Sequence, residues 1–337
     1  MRWLAIDIGG ANLKLADGLG FAESFAFPLW KDSARLAQHL RTLISQAPAS
    51  DHLAVTMTGE LADCFATKAD GVRFILNAVS EGTDNRHTRV YLVDGRIVSP
   101  QVAITVPKLA AASNWHVLAR WAGRKAPSGS ALLVDVGSTT CDIVPLVDGV
   151  PSAVGTTDTQ RLLSGSLVYT GVERSPVCAV AQSAVYRGSK CPLTQELFAT
   201  TRDVYLLLEK LPEDAVDLNT ADGRPATRSF ARNRLARMVA ADSEEFNHRD
   251  AVELAQSIAE SQSVMIARSI LKVVSTMSAP PEKIIVSGHG DFLARQAIHL
   301  ANLTAPQISL TEELTPRVSR CATAHALAII TRELSMK

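Results

Sequence analysis

The stretch Leu132–Gly149, LLVDVGSTTCDIVPLVDG, decides the fold because it repeats an earlier part of the chain. Leu4–Gly18 reads LAIDIGGANLKLADG, and the two stretches align at a constant offset of 128 residues (135 − 7). Each begins with an apolar run that ends in an acid, continues through small residues and returns as a second strand. This pattern predicts a β-hairpin. The duplication predicts two similar halves that face each other across a cleft.

The turn of each hairpin is a candidate phosphate-binding loop. Small residues leave the backbone N–H groups of a tight turn free to point at an anion. An ordinary hairpin with a capping Asp is the alternative. The candidate phosphate- or nucleotide-binding residues in these turns are Gly9, Gly10, Asn12, Gly137, Ser138, Thr139 and Thr140.

Each hairpin also carries an acid, Asp7 or Asp135, at the end of its first strand. An acid beside a phosphate would repel it, so a divalent cation is expected between the two. The sequence therefore predicts Asp7 and Asp135 as metal ligands and catalytic residues, with Mg²⁺ as cofactor. Lys14 is a further candidate catalytic residue, unless it is a surface lysine on a two-faced strand. ATP is a possible ligand but is not required.

A third glycine motif lies in Ile284–Ile298, IIVSGHGDFLARQAI. A buried strand is predicted to end at Ser287, and a helix to begin at Asp291. Because a helix N-terminus attracts anions, Ser287, Gly288 and Gly290 are candidate ligands for a nucleotide or another phosphorylated group.

These three motifs together resemble those of the actin, sugar-kinase and heat-shock-chaperone ATPase superfamily. The resemblance implies an α/β fold with two RNase-H-like (actin-like ATPase) domains around a central cleft. We expect a first domain at 1–123 that includes an inter-domain helix at 107–121. A Gly-, Pro- and Ser-containing linker at 123–130 would separate it from a second domain at 131–315, with an insertion at 155–247. Residues 316–337 would form a C-terminal helix that packs on the body.

Composition excludes several classes of partner. The 337 residues contain 34 Lys and Arg against 34 Asp and Glu, so no global field attracts nucleic acid or a membrane surface. Because the first strand is predicted to begin at Trp3, we expect no signal peptide, and no apolar run approaches the roughly twenty residues of a membrane span. Five scattered cysteines without a C-x-x-C pair indicate reduced thiols and no zinc site. We expect a cytoplasmic protein with a small phosphorylated substrate, and homo-oligomerisation remains open.

Further candidates lie outside the glycine motifs. Thr58 and Glu60 follow a predicted parallel strand at the sheet edge where α/β folds place ligands. Glu60 is a candidate general base or metal-linked carboxylate, or alternatively a favourable charge in a first helical turn. Asn114 is a polar residue on the inter-domain helix. The insertion is rich in Thr, Asp, Arg and Gly, which indicates either substrate recognition or a hydrated cap with internal salt bridges. Its candidate substrate residues are Asp158, Arg161, Arg174, Arg202, Asp203 and Asp222.

Within the superfamily, one branch of the hydantoinase and oxoprolinase family is the most similar. The motifs that carry this resemblance are DIGGANLK, TMTGEL, ASNWH, VDVGSTTCDI, TDTQRLLSG, VYTGV, ADGRPAT and SGHG. The branch is linked to tetrahydromethanopterin-dependent one-carbon metabolism and is similar to methanofuran-biosynthesis synthases. The resemblance implies a transferase that joins a furan-methyl diphosphate to the phenol oxygen of a γ-glutamyl-tyramine-like acceptor and releases diphosphate.

This chemistry needs a group that accepts the phenol proton, because a phenol has a pKa near 10. Glu60 and Asp142 are the candidate bases. Three alternatives remain open: an ATP-dependent small-molecule kinase, a hydrolase of the hydantoinase/oxoprolinase type, and a non-enzymatic nucleotide switch. The kinase alternative rests on DIGGANLK, which is close to the opening motif of type III pantothenate kinases.

Overall fold

The structure, a computed structural model, describes residues 2–83 and 86–335 and consists of two sheets with helices between and around them. Its strands are β1 (Trp3–Ile8), β2 (Asn12–Ala16), β3 (Ala22–Ala26), β4 (His52–Met57), β5 (His87–Tyr91), β6 (Ile97–Val98), β7 (Ser130–Val136), β8 (Cys141–Val147), β9 (Val150–Pro151), β10 (Leu167–Val168), β11 (Ser183–Tyr186), β12 (Ser189–Pro192), β13 (Lys283–Ser287) and β14 (Gln307–Ser309).

The helices cover much of the remaining chain. They are α1 (Leu29–Asp32), α2 (Leu36–Gln46), α3 (Lys68–Gly82), α4 (Pro100–Thr105), α5 (Pro107–Ala110), α6 (Asn114–Ala122), α7 (Asp158–Ser164), α8 (Val177–Val180), α9 (Thr201–Leu207), α10 (Arg228–Arg237), α11 (His248–Val274), α12 (Asp291–Leu300), α13 (Leu310–Glu313), α14 (Pro316–Arg320) and α15 (Ala322–Leu334). Short 3-10 helices occupy Ser33–Arg35 and Gly123–Lys125. Among the described helices, none combines the length and the apolar character that crossing a membrane requires.

The two sheets share one topology. The strand order is β3-β2-β1-β4-β5-β6 in the first sheet and β10-β8-β7-β13-β14 in the second, where β9 also pairs with β8. In each, three antiparallel strands lie at one edge (β3-β2-β1 and β10-β8-β7), and the next two strands (β4-β5 and β13-β14) run parallel to the first strand of the lobe. The first sheet ends in β6, which is antiparallel to β5. The repeat in the sequence is therefore a repeat of the fold, and the predicted fold class is confirmed. We refer to the two halves as the first and second lobes.

Two helices fill the space between the sheets. Helix α15 packs on β1, β2 and β4 of the first sheet, and α6 packs on α15, β8 and β9. Apolar residues of both sheets are buried against these helices, including Ala5 and Ala54 in the first and Leu133 in the second. The far face of the first sheet is covered by a core that includes α2 and α3, and that of the second by one that includes α11 and α12. The sheets are thus held at a fixed separation, with the two hairpin turns at one end of the space between them.

The predicted helix at 107–121 is wrong, because the chain forms α5 and α6 with a break between them. Ala112 adopts a left-handed φ of 46°, and the Ser113 hydroxyl donates to the Tyr91 carbonyl at 3.0 Å. The C-terminal helix is likewise divided at Cys321, although it packs on the body as expected.

The segment 155–247 is more than a hydrated cap. Its strand β10 is the third strand of the second sheet's antiparallel part, paired with β8. Helices α9 and α10 pack on each other and on α11, and they bury Val204 and Leu235 in the core of the second lobe. The proposed linker also contains a 3-10 helix at Gly123–Lys125 rather than loose chain. The division of the chain into domains at these residues stays a prediction.

Candidate active site

A cavity of about 550 Å³ opens between the lobes and is lined by both hairpin turns. It brings together most of the residues singled out in the sequence. The predicted residues that line it are Asp7, Gly9, Gly10, Asn12, Lys14, Thr58, Asn114, Asp135, Gly137, Ser138, Thr139, Thr140, Asp142, Asp158, Arg161 and Arg174.

The two turns have the same hydrogen bonding. In the first, the Gly9 N–H donates to the Asn12 carbonyl at 3.0 Å, and in the second the Gly137 N–H donates to the Thr140 carbonyl at 2.9 Å. The strand register of the two hairpins is also the same. Asp7 lies opposite Lys14 in the first hairpin, and Asp135 lies opposite Asp142 in the second.

A neighbouring segment braces each turn from behind. The Leu29 N–H donates to the Gly10 carbonyl at 2.9 Å, and the N–H groups of Glu173 and Arg174 donate to the Ser138 carbonyl at 3.1 and 3.0 Å. These bonds fix the carbonyl oxygens of the turns. Within the described residues, the N–H groups of the turns that donate no hydrogen bond include those of Gly10, Ala11, Ser138 and Thr139. Unpaired amides in two facing turns form a candidate site for a polyphosphate.

Three carboxylates lie at the base of the cavity. Burial raises the pKa of Asp7, which Lys14 partly counteracts. Burial, together with the nearby Asp142 carboxylate, raises the pKa of Asp135 to about 6. One oxygen of Asp7, Oδ1, is buried without a hydrogen-bond partner in the described structure. Lys14 is therefore too weak a source of positive charge to offset the cost of burying the ionised forms of Asp7 and Asp135.

The charge of the cavity lining fits a divalent cation. Five Asp side chains line it, at positions 7, 63, 135, 142 and 158, against three cations, Lys14, Arg161 and Arg174. Lys68 pairs with Asp158 from outside the lining, which leaves an excess of one carboxylate (5 − 4) that opposes entry of a bare diphosphate. The described residues contain no cluster of three or more His, Cys, Asp or Glu side chains that could hold a metal alone. Asp7 and Asp135 instead suit Mg²⁺, which typically takes one or two carboxylates together with substrate phosphates and water.

Asp142 and Arg161 form a buried ion pair in the cavity wall. Arg161 Nη2 lies 2.6 Å from Asp142 Oδ1 and also donates to the Ser166 carbonyl at 2.9 Å. Its guanidinium stacks 4.2 Å from the ring centroid of Trp115. Burial raises the pKa of Asp142, and Arg161 opposes that rise. Arg161 lines the cavity as predicted; its Nη2 is committed to Asp142 and Ser166, whereas its Nε is buried without a hydrogen-bond partner in the described structure.

Two contacts join the lobes beside the cavity. Lys68 Nζ at the start of α3 lies 3.2 Å from Asp158 Oδ2 on α7. The Arg174 guanidinium lies 5.0 Å from the ring centroid of Trp30. In each pair one residue belongs to the first lobe and the other to the second. Of these four side chains, those of Asp158, Arg174 and Trp30 line the cavity.

Glu60 does not line the cavity, and its role as a general base or metal-linked carboxylate stays a prediction. It is 1% exposed, and its backbone packs against Gly71 of α3. Burial raises the pKa of Glu60 to about 7. The polar cluster at the end of β4 was correctly located, but only Thr58 of the two candidates faces the cleft.

The third glycine motif is also absent from the cavity lining. The Gly290 N–H donates to the Val136 carbonyl at 3.0 Å, and a Cβ on Gly288 would lie 2.2 Å from that same oxygen. Ser287 is fully buried in the sheet. The absence of side chains at Gly288 and Gly290 allows the loop to approach β7 closely, which explains these two glycines by packing alone. The Ser287 hydroxyl is buried without a hydrogen-bond partner in the described structure, and the binding of a ligand by this motif stays a prediction.

Three candidate substrate residues of the insertion form ion pairs away from the cavity. Arg202 Nη1 lies 2.7 Å from Asp217 Oδ2. Arg234 Nη2 lies 2.7 Å from Asp203 Oδ1, and its Nη1 lies 2.9 Å from Asp222 Oδ1. For Arg202, Asp203 and Asp222, the structure therefore favours the internal salt bridges that were the alternative prediction.

Sequence reasoning missed part of the cavity lining. The additional residues are Ala11, Trp30, Leu61, Ala62, Asp63, Ala112, Leu167, Tyr169 and Thr323. Trp30 and Arg174 follow β3 and β10, the third antiparallel strand of each lobe. Trp30 is next to Leu29, whose N–H donates to the first turn, and the N–H of Arg174 itself donates to the second turn. Extending the repeat to that strand was the signal that could have identified Trp30.

Comparisons with known proteins identify relatives over most of the chain. The chain is 31% identical over 328 residues to (4-{4-[2-(gamma-L-glutamylamino)ethyl]phenoxymethyl}furan-2-yl)methanamine synthase of Methanocaldococcus jannaschii, covering 96% of each. A protein of the same name from Methanococcus vannielii is 28% identical over 213 residues, which cover 62% of this chain and 94% of that protein.

A similar solved structure is component A of the (R)-2-hydroxyglutaryl-CoA dehydratase of Acidaminococcus fermentans. It is 12% identical over the full length of both chains with a TM-score of 0.48, which bears on neither substrate nor mechanism. The sequence profile of hydantoinase/oxoprolinase matches residues 51–332. The resemblance inferred from the motifs is confirmed, and the chain belongs to the hydantoinase/oxoprolinase family.

Proposed function

We propose that the protein is a transferase of methanofuran-type cofactor biosynthesis. It joins a furan-methyl diphosphate to the phenol oxygen of a γ-glutamyl-tyramine-like acceptor and releases diphosphate. The observation that carries this proposal is the pair of facing turns, with unpaired amides and the buried carboxylates of Asp7 and Asp135, in a chain similar to the two synthases over most of its length.

The reaction exchanges one carbon–oxygen bond for another. The bond between the furan-methyl carbon and the diphosphate breaks, and its electron pair leaves with the diphosphate. The phenol oxygen forms the new bond to that carbon and loses its proton. Negative charge therefore grows on the leaving group, and preorganised donors aimed at that charge supply most of the catalytic effect.

The residues of the two turns would bind the leaving group. The N–H groups of Gly10, Ala11, Ser138 and Thr139 are available to donate to its oxygens, and Lys14 adds a positive charge. Asp7 and Asp135 would hold Mg²⁺, which when bound neutralises the carboxylates and the diphosphate together. This division of roles explains why the base of an anion site carries acids.

Asp142 remains the candidate acceptor of the phenol proton. Arg161 binds one of its two oxygens, Oδ1, and Asp142 still lines the cavity. Its fixed position beside Asp135 would place a carboxylate next to the reacting centre. The cavity volume falls within the range of about 300–1,000 Å³ that is typical of small-molecule sites.

The five cysteines are all free, which supports a reducing compartment, and we place the reaction in the cytoplasm. ATP is not a reactant in this scheme.

The proposal is tested by supplying the furan-methyl diphosphate and γ-glutamyl-tyramine with Mg²⁺, with and without ATP. We expect the aryl ether by mass spectrometry, with one diphosphate released per ether in both conditions. Asp135→Asn should remove this activity, and the matched control Cys178→Ser should keep it. Formation of ADP and a phosphorylated acceptor, without an ether, would show a kinase instead.

A further inference from the structure

Arg174 differs from the other cations that line the cavity. Arg161 is paired with Asp142, and Lys14 lies opposite Asp7 in the first hairpin. In the described part of the chain, the Arg174 guanidinium has no carboxylate partner and no side-chain hydrogen bond, and its contact is with the face of Trp30. A guanidinium held on an aromatic face keeps its N–H edge available for a planar anion.

The backbone of Arg174 is fixed while its side chain faces the cavity. Its N–H donates to the Ser138 carbonyl at 3.0 Å, and the adjacent Glu173 carboxylate is occupied by His289 at 3.3 Å and Arg320 at 3.6 Å. Glu173 is thus committed elsewhere, which explains why it does not neutralise Arg174. The cation is available to a ligand in the cavity.

Apolar surface surrounds this cation. Tyr169 and Leu61 line the cavity from opposite lobes and are 62% and 53% exposed. With Trp30 they provide faces on which aromatic rings can pack. The two substrates of the proposed reaction carry a furan and a phenol, and their one anionic group besides the diphosphate is the carboxylate of the glutamyl moiety.

We propose that Arg174, held on Trp30, binds the α-carboxylate of the γ-glutamyl group and thereby selects the glutamylated acceptor. This inference rests on the proposed function and extends it to a specificity-determining residue. Arginine suits the role because its planar fork binds a carboxylate through two parallel hydrogen bonds.

The test compares γ-glutamyl-tyramine with γ-aminobutyryl-tyramine, which lacks only that carboxylate, as acceptors for the wild type, Arg174→Gln and Arg174→Lys. We expect Arg174→Gln to lower kcat/KM for the glutamyl acceptor by about 10- to 100-fold, the range for a hydrogen bond to a charged group. Turnover of the aminobutyryl acceptor and the KM of the diphosphate donor should change less than about twofold. Arg174→Lys should fall between, because lysine cannot form the paired contact.

Arg202→Gln is the matched control, because Arg202 pairs with Asp217 outside the cavity, and it should leave both acceptors unaffected. Equal losses for both acceptors in Arg174→Gln, or a raised KM for the donor, would overturn the inference and assign Arg174 to the diphosphate or to folding. A wild-type enzyme that forms no ether from either acceptor would refute the proposed function and this inference with it.

Discussion

Replacing Arg161 by Met should strongly destabilise the second lobe by leaving Asp142 buried without its partner. The two side chains belong to residues that are 1% and 6% exposed, and they meet at 2.6 Å. Removing one partner of such a pair costs about 3–5 kcal/mol, since the remaining charge has lost both water and its counterion. Methionine retains an unbranched apolar stem that can still pack on Trp115, so most of this loss should come from the charge.

The loss should depend on pH in a defined direction. Burial holds the pKa of Asp142 above its usual range in the folded state, and without Arg161 the pKa rises further. The folded variant then prefers the neutral acid. Its stability falls as pH rises from the unfolded pKa of about 3.9 towards the folded one, by about 1.4 kcal/mol per pH unit between them. The deficit relative to wild type should therefore be larger at pH 8 than at pH 5.

Urea unfolding followed by tryptophan fluorescence at both pH values measures this effect, because Trp115 lies against the guanidinium. The double variant Asp142→Leu/Arg161→Met removes both charges and should recover most of the loss. A deficit below about 1 kcal/mol at pH 8, or a double variant no more stable than Arg161→Met, would refute the reasoning.

Three further predictions separate the site from its surroundings. In Gly171→Ala the new Cβ would lie 2.5 Å from the backbone of the second turn. Displacing that turn by about 1 Å should reduce kcat/KM by about 100-fold, whereas Gly188→Asn, at an open hairpin tip, should leave kcat/KM unchanged. Asp203→Ala leaves Arg234 buried without its nearest partner and should cost about 3–5 kcal/mol in unfolding free energy, while kcat/KM of the folded enzyme changes less than twofold; a large loss of kcat/KM with normal stability would return Asp203 to the site. Glu60→Gln should raise the free energy of unfolding by about 3 kcal/mol at pH 8.5 but not at pH 5. The reason is that burial raises the pKa of the wild-type carboxyl to about 7, so this buried group must ionise as the pH rises above that value. A melting profile identical to that of the wild type at both pH values would contradict this.

The two hairpins of the repeat contain the residues at the centre of the candidate site, so these residues could be predicted from the sequence. The offset between Asp7 and Asp135 identified two equivalent strand ends, one in each sheet, and these ends meet because the two similar lobes face each other across the cavity. The flanking small residues Gly10 and Ser138 indicated tight turns without any knowledge of tertiary contacts. These features depend on residues that are close together in the sequence, so they could be predicted without knowledge of the tertiary structure.

The candidates that lie outside the cavity lining owe their positions to contacts between distant parts of the chain. Nothing near Glu60 in sequence reveals that α3 covers it, so its position after a strand suggested an open site. Asp203 resembled a ligand residue because its partner, Arg234, lies 31 residues away. Gly290 follows the pattern of a ligand-binding glycine, yet the groups that approach it closely are the side chains of Val136 and Val172. A glycine in the sequence therefore indicates that another group approaches the backbone closely, but it does not show whether that group is a ligand or part of the protein.

Binding of diphosphate to the wild type, Asp7→Asn and Asp135→Asn, measured by isothermal titration calorimetry with and without Mg²⁺, tests the shared-ion site most directly. We predict that the wild type binds one diphosphate in the presence of Mg²⁺ and at least about 100-fold more weakly without it, since the excess carboxylate charge then repels the ligand. Each Asn variant should lose most of the Mg²⁺-dependent affinity while keeping its melting temperature. Equal affinity with and without Mg²⁺, or undiminished binding by both variants, would contradict a diphosphate held between the two turns through a common ion.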